Sequence, residues 1–246
     1  MNSFSRELDF LLTDNELFQT QSALPEWKGY HTEISLNDCL YIASLQHFGY
    51  LKIDFVSMAN EAIKIALDLA DPSRVNDIRL GIWFSLSQFS LPLLLLYGTE
   101  EQIQTFVSPY HLKLDPGYTG RFERNYTRAY LLMCNFLKST PEPDAGLRQE
   151  LLDCKKKQVV LLVEALLAAV EGTQSDFDRA FTAGMKYFRS RNKTYKDNDK
   201  KQFDLIALEY TAVNAIAKRC GKHMTELPIN LACSILTRES IDNPVP

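Results

Sequence analysis

Histidine, cysteine and carboxylate side chains are where catalysis or metal binding would begin, and their spacing along this chain builds neither. The four histidines (His31, His47, His111 and His223) form no HExxH or ExxH motif, and no two share a helical face. The five cysteines (Cys39, Cys134, Cys154, Cys220 and Cys233) include no CxxC pair. A nucleophilic thiol needs a neighbour that stabilises the thiolate. Cys134 lacks one in sequence, whereas Cys154 precedes Lys155, Lys156 and Lys157, a suggestive but nonspecific setting. There is no GxSxG, Walker or GxGxxG motif. The acid pairs Glu100–Glu101 and Asp176/Asp178 sit at expected helix starts, where the helix dipole favours negative charge. That structural role accounts for them without a general acid and base. The expectation is a chain with no catalytic residue, no metal site and no cofactor, and so not an enzyme.

Charge carries the remaining signal. Residues 1–110 hold 14 Asp or Glu against 6 Lys or Arg, and residues 111–246 hold 17 against 21, giving −8 and +4. An acidic half can steer a basic partner by long-range attraction, and a solubilising surface is the plainer account. The stretch 186–201 reverses the sign, with seven Lys or Arg, two Asp, and Tyr187, Phe188 and Tyr195 interleaved. Such a stretch can grip a phosphate backbone and stack bases. A basic helix end followed by a polar loop explains the same residues. With the whole protein at −4, the second account is preferred and no nucleic-acid partner is expected.

The elements that would position these residues are helices throughout. Leu80–Gly98 contains no charged side chain, so it reads as a helix surrounded by others, interrupted near Ser90–Leu91 by Pro92. Ser85, Ser87, Gln88, Ser90 and Pro92 argue against a membrane span, as does the lack of a basic flank. Before it, residues 4–20, a segment ending at Phe48, and Phe55–Leu69 show helical periodicity. After it, Gly98 suits a left-handed helix stop, and Thr99 with Gln102 makes a capping box.

Residues 108–120, with two prolines and two glycines, form the longest irregular stretch and the candidate boundary between two helical halves. Helices then follow at Phe122–Leu137 and, as one long helix, from Asp144 to about Glu171, apolar over Val159–Val170 except at Glu164. Ser175 with Asp178 caps a further helix. Phe203, Ile206, Ala207, Tyr210, Val213 and Ala217 mark another, ending at Gly221, and a last one covers Leu227–Thr237. The Gly-Thr turns at 98–99 and 172–173 echo one another, each between an apolar helix and an amphipathic one. The predicted class is all-α, with about eight or nine helices packed as antiparallel hairpins in one domain spanning 1–246.

Composition fits this reading, at 46% hydrophobic and 24% charged, with Gly and Pro at ten each. Unpaired cysteines in apolar patterns imply reduced thiols and a cytoplasmic protein. The amino end has acids where a cleavable signal needs basic residues.

Two stretches resemble one family. GIWFSLSQFSLPLLLLYGTEEQIQTF is similar to the middle of the immunity protein 49 family of bacterial polymorphic toxin systems. DFDRAFTAGMKYFRSRNKTY, with FDLIALEYTAVNAIAKRCGKHMTELPINL, resembles that family's carboxyl-terminal pattern, with Arg219, Gly221, Leu227 and Pro228 in the family's order. The likeness covers roughly residues 75–235, and Thr99 stands where the family usually has an acid. The resemblance implies an antidote that binds a cognate protein toxin and blocks its active site or substrate access. It transfers no site residue. If that toxin is basic and nuclease-like, the expected contacts are acids: Asp71 and Asp77 before the apolar helix, Glu100 and Glu101 after it. Capping and solvation explain each of these acids equally simply. A helical-repeat scaffold or chaperone with another protein partner is the alternative, and an α-helical enzyme the third reading.

Overall fold

Threonine side chains cap three of the described helix starts, through Thr99, Thr173 and Thr237. The computed structural model describes residues 39, 40, 43, 46, 47, 54–69, 90–112, 124–192, 206–223, 225–232 and 234–243. Over those residues the chain is all-α, with nine bounded helices and no strand: α1 (Phe55–Leu69), α2 (Glu100–Val107), α3 (Arg124–Leu137), α4 (Ala145–Leu152), α5 (Lys157–Val170), α6 (Gln174–Asn192), α7 (Leu208–Arg219), α8 (Ile229–Ala232) and α9 (Arg238–Asp242). Residues 90–97 are helical as well and lead into α2. The helices predicted for residues 4–20 and the first half of the apolar stretch, with Trp83, lie outside the described residues.

Among the described residues, α5 is the helix on which most neighbours pack: α6, α7, α4 and α3 all lie against it. Val159, Leu162, Val163, Ala165, Leu166 and Ala169 are buried, and the two alanines let neighbouring backbones come close. The part of the apolar stretch that is described supports this core from the side, through Leu91, Leu93 and Leu94. Across the irregular segment 108–120, α2 packs on α3, and Gln104 Nε2 donates to the Leu137 carbonyl at 2.7 Å.

The two Gly-Thr turns are the same device. Gly98 N–H bonds to the Leu94 carbonyl and Gly172 N–H to the Ala168 carbonyl. Neither glycine has positive φ, so the left-handed stop expected at Gly98 is not formed. Glycine is required there for space: a Cβ would lie 2.6 Å from Leu94 O at residue 98 and 2.9 Å from Ala168 O at residue 172. Thr99 and Thr173 then cap the following helices, Thr99 with Gln102 and Thr173 with Asp176. The cap of α6 is therefore Thr173, two residues earlier than the predicted Ser175. Asp178 instead accepts hydrogen bonds from Gln174 Nε2 and Thr225 Oγ1. The left-handed glycine is Gly221, φ 77°, where Gly221 and Lys222 N–H groups bond back to Lys218 and Ala217 and close α7 as a Schellman turn.

Two predicted elements are divided. The long helix from Asp144 breaks at residues 153–156, so that α4 folds against α5. Asp, Cys and the first of three consecutive lysines are weak helix formers or mutually repelling at that point. The stretch predicted as the last helix, Leu227–Thr237, divides into α8 and a non-helical connection at 234–237, and α9 begins beyond it at Arg238. That connection lies along α7: Ala207 N–H bonds to Ser234 O at 2.8 Å, and Leu236 N–H to the buried Thr211 hydroxyl at 3.2 Å.

Candidate partner-binding surface

Asp71 and Asp77 lie outside the described residues. Glu100 and Glu101 open α2, fixed in direction by the Thr99 capping box. They do different things. Glu100 forms an ion pair with Arg219 at the end of α7 and accepts from Gln104 Nε2 at 2.9 Å. The Arg219 guanidinium, helped by Gln104, holds the Glu100 carboxyl below the usual carboxylate range. Its charge is thus largely spent within the chain. Glu101 is exposed, and its carbonyl accepts from Thr105 Oγ1 at 2.9 Å. Both acids are exposed, Glu100 as one half of a surface ion pair.

Arg219 also borders a groove of about 300 Å³ between residues 90–97, α7 and the start of α9. Leu95, Leu96 and Ala215 give it apolar walls, and Lys218, Arg219, Arg238 and Glu239 line it with charge. Lys218 and Glu239 are 3.8 Å apart. Arg238 binds Asp242 at 3.2 Å and lies 5.3 Å over the Tyr97 ring, whose hydroxyl donates to Asp242 at 2.9 Å. The buried Asn214 also lines the groove, and its Oδ1 has no hydrogen-bond partner. The groove draws on segments more than a hundred residues apart, so no local pattern announced it. Arg219 belongs to the family-like motif and Leu95 and Leu96 to the apolar stretch, and only the fold makes them lining residues of one groove.

Some of the described groups that could do chemistry make structural contacts, while Cys154 is half-exposed and Cys220 exposed. Cys134 is buried, and burial pushes its thiol up to about 12, far from a thiolate nucleophile at neutral pH. His47 Nδ1 shares a hydrogen bond of 2.6 Å with Ser240 Oγ, and His111 Nδ1 lies 3.2 Å from Glu142. The His223 backbone pairs with the Gln174 side chain in both directions. Among the described residues, no three His, Cys, Asp or Glu side chains converge as metal ligands, and no helix is long and apolar enough to cross a membrane. No protein-family model, curated protein or solved structure matches the chain.

Proposed function

We propose that this chain is an immunity-type antidote, a cytoplasmic protein without catalytic groups or cofactor that binds a cognate toxin through a preformed surface. The observation that carries the reading is the groove bordered by Arg219, the ion-pair partner of Glu100, with its apolar walls and charged border. Protein interfaces share this layout, with an apolar centre supplying affinity and charged edges supplying orientation. The sequence resemblance to the immunity protein 49 family supports the toxin as occupant. The groove border is mostly basic, Lys218, Arg219 and Arg238 against Glu239, so it suits an acidic face of the toxin, whereas Glu101 on α2 would steer a basic, nuclease-like one.

Co-expression with the toxin encoded beside this gene tests the reading. The native chain should rescue growth and co-elute with the toxin. Leu96→Arg should abolish both while leaving the fold intact, because Leu96 is only half-buried. Glu101→Lys should slow association about threefold to tenfold at low salt and little at high salt. Failure of the native chain to rescue or co-elute would end the antidote reading. The same surface would serve a scaffold or chaperone, a reading favoured by the repeated Gly-Thr hairpin turn.

A further inference from the structure

The groove between residues 90–97, α7 and α9 contains one group whose hydrogen bonding the fold leaves unmet. Asn214 lines it at 3% exposure, and its Oδ1 accepts no hydrogen bond. A buried acceptor without a donor costs stability, so at a groove wall it marks a place where a ligand supplies the missing N–H or O–H. Around it stand Leu95, Leu96 and Ala215, and the rim carries three cations against Glu239. The three are not equally occupied. Glu100 binds Arg219 and Asp242 binds Arg238, both from outside the groove lining, whereas Lys218 is held loosely, 3.8 Å from Glu239. Lys218 is therefore the cation most readily taken by an incoming carboxylate.

We infer that this groove, on the reading above that it is the partner-binding surface, receives an extended peptide segment with an acidic residue between apolar ones. The unmet Oδ1 calls for a donor, which decides against several other ligands. A fatty-acid carboxylate or a phosphodiester brings acceptors without a donor and leaves Asn214 unmet. A nucleic-acid base brings N–H groups but needs a ring to stack on, and none of the described lining residues is aromatic. A helix has spent most of its N–H groups on its own turns, whereas extended main chain offers them. Apolar side chains of the segment cover Leu95, Leu96 and Ala215, and its carboxylate gives Lys218 a closer contact than the one at 3.8 Å.

The test uses the full chain, isotopically labelled for magnetic resonance, and three peptides capped as acetyl dimethylamides. The first is leucine-aspartate-leucine, the second replaces the aspartate by lysine, and the third carries methyl groups on its backbone nitrogens. The first should bind at millimolar concentration and shift the side-chain amide signal of Asn214. The second and third should each bind about threefold to tenfold more weakly, through loss of a charge contact or of a hydrogen bond. Asn214→Leu removes the acceptor while keeping the bulk, so it should melt no lower than the native chain and bind the first and third peptides equally. Lys218→Gln should narrow the preference for aspartate over lysine to less than about twofold. No binding of the first peptide by the native chain, equal native binding of the first and third, or an aspartate preference unchanged in Lys218→Gln would each overturn the inference. Growth rescue by co-expression with a failed peptide test would remove this occupant and leave the antidote reading standing, and peptide binding without rescue would do the reverse.

Discussion

Two carboxylates have opposite pH signatures, and each gives a measurement. Glu142 ties three pieces of backbone together: it accepts from Lys138 Nζ at 2.7 Å and Leu112 N–H at 3.4 Å, while its own backbone pairs with the Asn135 amide. Lys138, assisted by His111, holds its carboxyl below the usual range. A depressed carboxyl stabilises the fold above its unfolded pKa, and that stability is lost as pH falls through the folded value. Glu142→Ala should therefore cost about 1–2 kcal/mol at neutral pH in urea titration, and the difference from the native chain should shrink by about pH 3. Glu209 is the reverse case. Its carboxylate accepts from the Tyr126 hydroxyl and is surrounded by protein, although one side reaches the surface, and burial raises its pKa. A raised carboxyl contributes its stability below the unfolded pKa and loses it as pH rises through the folded one. Glu209→Gln keeps an acceptor for Tyr126 and removes the charge. It should stabilise the protein by about 1 kcal/mol at neutral pH, and the gain should vanish near pH 4.

At the scale of elements, two helical glycines predict opposite outcomes. Gly184 on α6 faces the buried Tyr210 ring of α7, and a Cβ there would overlap that ring. Gly184→Ala should cost about 1–3 kcal/mol by chemical denaturation, because the ring has no room to withdraw. Gly146 on α4 has nothing within 4 Å of an added Cβ, so Gly146→Ala should stabilise by about 0.5–1 kcal/mol. The same contrast explains what could be read from residues alone. The cap at the first Gly-Thr turn was legible because Thr99 and Gln102, three residues on, are a local device, whereas at the second turn the expected cap was Ser175 with Asp178 and the observed one is Thr173 with Asp176. The α4–α5 break was not legible, since no Gly or Pro marks residues 153–156 and apolar spacing continues on both sides. The burial of α7 was only half legible: Val213 and Ala217 gave the stripe, but Thr211 and Asn214 are buried too, and polar residues signal exposure until the element covering them is known. Of the candidate site, the acids at the start of α2 were readable from capping. The pairing of Glu100 with Arg219 spans 119 residues and needed the fold.

For the whole molecule, the carboxyl-terminal helix joins regions at the two ends of the sequence. Ile241 is fully buried, its carbonyl accepts from Gln46 Nε2 at 3.0 Å, and Ser240 and Asp242 bind His47 and Tyr97. Ile241→Ala should lower stability by about 2–4 kcal/mol. Scanning calorimetry should record one transition at lower temperature, with equal calorimetric and van't Hoff enthalpies, if both sides of the chain melt together. Two separated transitions would show halves that fold independently. This closure also bears on how the protein is made. Gln46 leaves the ribosome 195 residues before the carbonyl it binds, a wait of roughly 10–40 s at about 5–20 residues per second. Through that interval Gln46 and His47 lack the partners α9 gives them, so nascent chains stalled before residue 238 should be the species that chaperones hold and proteases cut.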